Sequence, residues 1–457
     1  MDETDPSRTD ETERLAAFVA DLGLDDVPAS AIEHGKRAIY DFVGVALYGS
    51  AHETGDRIAE YVDLAAPGDG ATVLGRGTAS PAGAALANGT FGHAVDYDDT
   101  FESIVIHPTG AVFPAALAAA EVADADGRAV LTGYLAGVET AYRIGHATYP
   151  AHYDHGWHST GTIGTFGAAA AAASVLDADE DAIRRAFGVA ASGSSALKKN
   201  FGSMTKPLHP GHAAQTGLRA AMLADSGFTA DGSILGGEMG YGTVMTPDGS
   251  YDPGAITDGL GETWGVEDIG FKPYPSGVIT HAAMEATRRI VEDEDLTPTD
   301  IERVVVTLDE AASEMLIHAD PDDELQAKFS IEFCLAAVVR ERTVGVHEFT
   351  DEYVTAPKTR EVIALVERDF EPEIFGGQFA GYGARVVVET TDGAEYVEEE
   401  RRAPGSPSNP VPDERLDAKF RECAGTVLPD DAVATVEDAI DRLEEPGSLS
   451  TLVNAVR

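Results

Sequence analysis

Apolar residues recur at helical spacing through most of the first 225 positions of this 457-residue chain. Their spacing is that of amphipathic helices, and Pro, Ser or Gly marks several of the ends. Residues 159–176 carry no charge, yet their Ala, Gly and Thr are too weakly apolar for a membrane span, so we expect a buried helix there. The same pattern predicts further helices over residues 12–22, 29–48, 81–95, 111–123 and 129–146.

The pattern changes near residue 270. Residues 301–308 predict a strand, and residues 384–390 and 394–397 predict a hairpin. Strands do not alternate with helices along the chain, so a doubly wound nucleotide-binding fold is not expected. We predict a mainly α fold with a second, α+β domain: a helical domain over 1–268, an α+β lid domain over 269–408, and C-terminal helices over 409–457 that rejoin the helical domain.

The chain is strongly acidic, with 79 Asp and Glu against 32 Lys and Arg and a net charge of −47. This charge disfavours nucleic acid and anionic membranes as partners. It resembles the surfaces of proteins from salt-loving archaea, where excess carboxylates keep the fold soluble. Cys334 and Cys423 lack metal-ligand spacing, and the acidic start MDETDPSRTDETER is unlike a secretory signal. We therefore expect buried thiols and a cytoplasmic location.

Acids, hydroxyls and histidines are concentrated in two neighbouring segments. Residues 88–100 have the sequence NGTFGHAVDYDDT, and residues 107–110 have the sequence HPTG. The glycines permit tight turns of the backbone. Side chains of these types can donate and accept protons, so the segments predict a reaction centre.

Four segments without Asp or Glu are informative in so acidic a chain. They cover residues 103–120, 155–176, 182–224 and 270–284, and they hold six of the thirteen histidines. Burial in a helix explains the alanine run at 168–173. It does not explain lysines and histidines beside prolines and glycines, which are typical of a site for an anion.

Three basic residues of these segments are candidate ligands for carboxylate groups. Lys206 lies in MTKPLHPGH, where two prolines and a glycine predict a loop in place of a regular helix. His158 follows Trp157 and precedes small hydroxyl residues that a ligand can approach. Lys272 lies where the helical pattern ends, and a domain junction is a common place for a small-molecule cleft and a closing lid. A small polycarboxylate is the natural ligand of such a site.

Other classes of function also fit parts of the sequence. Asp98, Asp99 and Glu102 match the D-D-x-x-[D/E] pattern of magnesium-dependent terpenoid synthases, but a second metal motif is lacking. His152, His155 and His158 have the three-residue spacing of a metal site, interrupted by a glycine. A non-catalytic binding protein would leave the acidic cluster as a solvated loop.

Seven phrases of the chain, in order, resemble the MmgE/PrpD family, which includes 2-methylcitrate dehydratases, cis-aconitate decarboxylases and iminodisuccinate epimerases. The phrases cover most of the chain and are NG at 88–89, HAVDYDDT at 93–100, HPTG at 107–110, GWHSTG at 156–161, KPLHPG at 206–211, SGFT at 226–229 and FKPYP at 271–275.

The resemblance implies a helical domain completed by the C-terminal segment, an α+β lid, a homodimer, and catalysis without an obligatory cofactor or metal. Carried over residue by residue, it gives His281 a place near the substrate, and it gives a polar cleft formed by Asp96, Thr100, His107, His158, Lys206 and Lys272.

Two departures from the family pattern bear on the reaction. Phe333 stands where relatives often have Tyr, and Gly277 stands where the decarboxylases carry a His five residues after the lid lysine. Hydration or dehydration of a 2-methylcitrate-like acid is therefore the first expectation, followed by epimerisation of a dicarboxylate and by decarboxylation. We expect His107 and Asp96, assisted by Thr100, to move protons, while Lys206, Lys272 and His158 hold carboxylates.

Overall fold

The computed structural model describes residues 11–376 and 382–457. The acidic N-terminal stretch discussed above lies largely outside these residues. The chain divides into two units. The larger unit comprises Met1–Ala94, Asp98–Ile269 and Phe420–Arg457, and the smaller unit comprises Val95–Tyr97 and Gly270–Lys419.

Helices dominate the larger unit, which confirms the predicted fold class. Three short strands, β1 (Ala71–Val73), β2 (Gly77–Ala79) and β3 (Thr100–Phe101), interrupt them. The helices are α1 (Glu11–Asp21), α2 (Ala29–Ser50), α3 (Glu53–Ala65), α4 (Pro81–His93), α5 (Pro108–Ala123), α6 (Gly127–Thr148), α7 (Ala151–Asp154), α8 (Ser159–Val175), α9 (Glu180–Gly193), α10 (Thr205–Asp225), α11 (Tyr241–Met245), α12 (Pro253–Thr257), α19 (Asp430–Asp441) and α20 (Ser448–Ala455).

The uncharged segment forms α8, as predicted, and every residue of this helix except Ser174 is buried. Its small side chains let neighbouring helices approach closely on all sides. Among the described residues, no helix combines the length and the apolar character needed to cross a membrane. The alanine run is therefore the centre of the helical core.

Glycines set the close crossing of α4, α5 and α10. A Cβ atom at Gly211 would lie 2.3 Å from the carbonyl oxygen of Leu86 and 2.3 Å from Oγ1 of Thr90. A Cβ atom at Gly89 would lie 2.7 Å from the carbonyl oxygen of Gly110. These contacts require glycine, and they bring the end of α4 and the starts of α5 and α10 to one place.

The predicted loop around Lys206 is wrong, because α10 already begins at Thr205. Pro207 occupies the first turn, where a backbone N–H has no partner within the helix. Pro210 lies inside the helix and removes the hydrogen bond that residue 210 would donate to the carbonyl of Lys206. The helix tolerates this loss, and Lys206 and His209 are consequently held on a helix.

The smaller unit contains a four-stranded mixed sheet covered by helices. The strand order is β6-β5-β7-β8, with β5 parallel to β6 and the other pairs antiparallel. The strands are β5 (Ile301–Asp309), β6 (Val366–Glu371), β7 (Tyr382–Thr390) and β8 (Glu395–Arg402). The helices are α13 (His281–Asp293), α14 (Glu324–Ala327), α15 (Ile331–Glu341), α16 (Asp351–Thr355) and α17 (Pro357–Ile363). Two elements, β4 (Ile269–Gly270) and α18 (Asp413–Ala424), span the boundaries between the units in the chain.

Neither cysteine forms a disulfide within the described residues, and both are buried, as expected. Cys334 belongs to the apolar core of the smaller unit, together with Phe333 from the same helix. The ring of Phe333 packs edge-on against Phe349, with 5.1 Å between the ring centroids. The departure from Tyr at position 333 therefore places an apolar ring in an apolar core, where a hydroxyl would need a partner.

Candidate active site

Histidines from four helix ends meet in the larger unit. His93 is the last residue of α4, His107 and His158 immediately precede α5 and α8, and His209 lies in α10. The ring centroids of His93 and His107 are 4.5 Å apart, and that of His158 lies 6.2 Å from His93. These four side chains form what we call the histidine cluster.

Asp98 pairs with the cluster. Its Oδ1 lies 2.7 Å from Nδ1 of His93, and its Oδ2 lies 3.7 Å from Nδ1 of His107. Since a carboxylate accepts, Nδ1 of His93 donates to it. Asp98 therefore fixes the His93 ring within the cluster.

The protonation of His107 follows from its surroundings. Its Nδ1 lies 2.7 Å from the backbone carbonyl oxygen of Asp99. A carbonyl can only accept, so Nδ1 carries the proton and, in the neutral ring, Nε2 is the basic nitrogen. The backbone N–H of His107 donates to Oγ1 of Thr160 at 3.0 Å, which fixes the start of α5. Nε2 is therefore the nitrogen of neutral His107 that can accept a proton.

His158 and His209 are joined through their rings, with 2.8 Å between the two Nδ1 atoms. Burial is the main cause that lowers the pKa of His158 well below its usual value, and nearby Lys206 lowers it further. Burial likewise lowers the pKa of His209 to about 4, with contributions from His93 and Lys206. Both rings are thus neutral at neutral pH.

Lys206 brings a positive charge beside these rings. The residue is 6% exposed, and its Nζ lies 5.3 Å from the ring centroid of Phe201, on which the ring of His158 also packs at 4.9 Å. Neutral imidazoles and one ammonium group form surroundings that favour an anion. The electrostatics thus fit a carboxylate ligand, although the local structure is not the predicted loop.

Asp99 is held in place by a hydrogen bond from Thr109. Thr109 donates to its Oδ2 and also lies 2.7 Å from the hydroxyl of Tyr134. Burial raises the pKa of Asp99 well above its usual range, and the neighbouring Asp98 raises it further. Asp99 therefore orders the loop before α5.

Thr100 is half-buried, and its hydroxyl contacts the backbone carbonyl of Ile106 at 3.3 Å. This contact holds the loop that ends at His107.

Asp96 and Lys272 form a buried ion pair in the smaller unit. Nζ of Lys272 lies 2.5 Å from Oδ1 of Asp96 and donates to its backbone carbonyl at 2.9 Å. The two residues are 3% and 5% exposed. Asp96 has a φ of 55°, a left-handed conformation that Asp adopts more easily than most residues. These contacts use two of the three N–H groups of the ammonium.

Lys419 supports this pair from the end of the smaller unit's sequence. Its Nζ donates to the backbone carbonyl of Tyr97 at 2.7 Å and to that of Lys272 at 3.0 Å. The same ammonium lies 4.1 Å from the centroid of the Tyr97 ring. One buried lysine thus ties together the two backbone segments that carry Asp96 and Lys272.

His281 has a packing role within the smaller unit. It is fully buried, its Nε2 lies 3.2 Å from the carbonyl oxygen of Ser276, and its ring lies edge-on to Tyr274. Burial lowers its pKa well below the usual value, and Lys272 lowers it further. In the part of the chain that the structure describes, its Nδ1 has no hydrogen-bond partner. A neutral ring of this kind is a poor cationic ligand for a carboxylate.

Gly277 is closely packed. Its N–H donates to the carbonyl of Lys328 at 3.0 Å, and a Cβ atom at this position would lie 3.3 Å from the ring of Phe329. A larger side chain here would require the Phe329 ring to shift. The glycine at position 277, where the decarboxylases are expected to carry His, therefore packs closely against its neighbours.

Among the described residues, two overlapping sets in the larger unit could hold a metal ion. Nitrogen atoms of His93, His107 and His158 lie within 4.8 Å of one another, and so do the ligand atoms of His93, Asp98 and His107. The set suggested by spacing, His152, His155 and His158, is not supported, because His155 is exposed and His152 lies 3.2 Å from Oγ1 of Thr162. A metal ion at this place would thus be bound by His93, which the predicted set of His152, His155 and His158 did not include.

Sequence reasoning found some members of the site and missed others. The larger unit brings together the predicted His107, His158 and Lys206, and the smaller unit pairs the predicted Asp96 with Lys272. His93 and His209 were not predicted as site residues. The signals for them were present, because His93 lies in the acidic motif and His209 follows Lys206 by three residues, which is one helical turn.

Comparison with known proteins identifies the family of the chain. The MmgE/PrpD N-terminal domain matches residues 13–253, and the MmgE/PrpD C-terminal domain matches residues 274–445. Cis-aconitate decarboxylases of Homo sapiens and Mus musculus are each 28% identical to 98% of this chain, over 94% and 93% of their own lengths. The cis-aconitate decarboxylase of Aspergillus terreus is 26% identical over 97% of this chain and 96% of its own length. The chain belongs to the MmgE/PrpD family.

Proposed function

We propose that this protein is a lyase that acts on a small polycarboxylate by moving a proton at a carbon next to a carboxylate group. The observation that carries the proposal is the tautomer of His107. Its Nδ1 donates to the carbonyl of Asp99, so its Nε2 is the basic nitrogen. The ring belongs to the histidine cluster together with His158, and Lys206 lies near His158. A base beside a cation is the combination that carbanion-forming chemistry requires.

In the proposed reaction, His107 removes the proton from the substrate carbon. Lys206 and His158 bind the adjacent carboxylate and stabilise the charge that develops on it. Hydroxide then leaves from the neighbouring carbon and takes up the proton that His107 holds, which gives the unsaturated acid and water and returns His107 to its neutral form. The proposal gives Thr100 an assisting role, while the roles expected for Asp96 in moving protons and for Lys272 in holding a carboxylate stay predictions.

Gly277 supports dehydration over decarboxylation. The resemblance implies a His at the matching position of the decarboxylases, whereas this chain has a glycine whose Cβ atom would lie 3.3 Å from the ring of Phe329. The relatives favour a second candidate, because those described above are cis-aconitate decarboxylases. In that reaction the carbon–carbon bond breaks, carbon dioxide leaves, and a protonated histidine returns a proton to the carbon.

Product analysis separates the candidates. The protein is incubated in concentrated KCl with 2-methylcitrate, citrate, cis-aconitate or iminodisuccinate, and the products are followed by mass and chirality. Dehydration predicts a mass change of one water, whereas release of carbon dioxide would replace the first proposal by the second. A change of chirality without a change of mass would identify an epimerase.

Variants test the assigned roles. His107→Gln should lower turnover by a factor of about 10² to 10⁴, the usual contribution of a general base. His155→Gln is a matched control, because this histidine is exposed. Unchanged turnover in His107→Gln would contradict the assignment. The homodimer and the cytoplasmic location stay predictions, and light scattering would measure the former.

A further inference from the structure

His158 and His209 share a single proton between their rings. Their Nδ1 atoms are 2.8 Å apart, and the residues are 1% and 6% exposed. A neutral imidazole has one N–H donor and one acceptor nitrogen. Only one Nδ1 can therefore carry the proton in this contact, so the two rings must adopt opposite tautomers. Whichever ring donates from Nδ1 keeps its Nε2 unprotonated, and the other ring keeps a proton on Nε2.

Burial and the charges around His158 and His209 keep both rings neutral, so that each ring carries only one proton. Nearby Lys206 and His93 add to the effect of burial in disfavouring an imidazolium at either position. The tautomer of each ring is then set by its partner and not by an added proton.

Packing holds His209 against the beginning of α8. A Cβ atom at Gly161 would lie 3.1 Å from Cβ of His209 and 2.4 Å from Cβ of Ala196. The backbone N–H of His158 donates to the carbonyl of Ala196 at 3.1 Å, and the carbonyl of His158 accepts from Gly161 at 3.0 Å. The backbone of His158 is thus fixed by α8, and the orientation of its ring depends on His209.

We propose that His209 is a positioning residue that donates a hydrogen bond from its Nδ1 to Nδ1 of His158. This bond keeps the proton of His158 on Nε2, from which it can be donated to a substrate carboxylate. The opposite arrangement would present a lone pair to the carboxylate oxygen. The inference rests on the proposed function for the identity of the ligand, but the coupling between the two rings does not depend on it.

Two substitutions at His209 separate the hydrogen bond from general packing. In His209→Asn the amide nitrogen stands the same number of bonds from Cβ as Nδ1 does, so a donor is retained. In His209→Leu the donor is lost. We expect His209→Leu to raise KM about tenfold, the value of one lost hydrogen bond to a charged ligand, with a smaller effect on kcat, and His209→Asn to recover most of the loss.

His212→Asn is the matched control. His212 lies one turn further along the same helix, is half-buried, and has its own backbone partner at Gly193. A structural effect of replacing a histidine in α10 would appear in this variant too. We expect its KM to match that of the wild-type protein.

Nitrogen-15 NMR of the histidine rings gives a readout that is independent of activity, with the His158 signals assigned from the variant His158→Gln. We expect Nε2 of His158 to be protonated in the wild-type protein and in His209→Asn, and to lose this preference in His209→Leu. Protonation at Nδ1 of His158 in the wild-type protein would overturn the proposal, as would an unchanged tautomer and KM in His209→Leu. A changed tautomer in His209→Leu, with no turnover of any polycarboxylate by the wild type, would support the coupling and refute the proposed function.

Discussion

Breaking the Asp96–Lys272 pair should destabilise the smaller unit by several kcal/mol. Both side chains are nearly inaccessible, and the ammonium lies 2.5 Å from the carboxylate oxygen. Removing one partner of a buried ion pair leaves the other charge desolvated, and the usual cost is about 3 to 5 kcal/mol. Lys272→Met removes the ammonium and keeps a side chain of similar length. Asp96→Asn removes the carboxylate charge and tolerates the left-handed backbone at this position.

The assay is thermal unfolding of the two single variants and the double variant. For a unit of this size, a loss of 1 kcal/mol lowers the transition temperature by about 2 to 4 °C, so each single variant should unfold roughly 6 to 20 °C below the wild type. The double variant should lose less than the sum of the two, because neither charge is then left alone.

An exposed pair of the same unit provides the control. Nη1 of Arg303 lies 3.2 Å from Oε2 of Glu367, and the side chains are 42% and 60% exposed. We expect little coupling between the two side chains of this pair, and less still in concentrated KCl. Strictly additive losses in the Asp96 and Lys272 variants would refute the interpretation of their contact as a buried ion pair.

Two further predictions concern the histidines of the larger unit. The free energy of unfolding should fall as the pH drops from about 6.5 towards 4, because the unfolded chain then binds protons that the folded histidines do not. For each such histidine, the free energy of unfolding should fall by up to about 1.4 kcal/mol per pH unit. His152 has a pKa lowered to about 3, chiefly by burial, so denaturant titrations of His152→Gln should show a shallower slope, and an unaltered slope would contradict the assignment. Because the proposed mechanism uses no metal ion, dialysis against a chelator should leave turnover unchanged, whereas activity that is lost and then restored by Zn²⁺ would mean that the histidine cluster holds an ion.

Much of the secondary structure follows from local patterns. The segment over residues 301–308, rich in β-branched residues, predicts β5, and the uncharged run over 159–176 predicts α8 because a helix buried on all faces carries no charge. The proline rule failed at α10, where Pro207 lies in the first turn and the helix accepts the bond lost at Pro210. Local rules could not anticipate that tertiary packing would outweigh this loss.

Only part of the candidate site could be predicted from the sequence. Asp96 and Lys272 were identified, but their pairing depends on a fold that brings residues 176 positions apart into contact. The contact between His158 and His209 likewise depends on the crossing of two helices at Gly161. Residue types and motifs indicated which side chains carry the chemistry, whereas tautomers and partners required the structure.

Turnover of polycarboxylates in deuterated water by the wild-type protein, His107→Gln and His155→Gln tests whether His107 moves the substrate proton. We expect the wild type and His155→Gln to convert at least one of the four acids and to exchange deuterium at the carbon next to the carboxylate, while His107→Gln does both at least about 100-fold more slowly. Absence of conversion and exchange with every acid, or equal rates in all three proteins, would contradict this expectation.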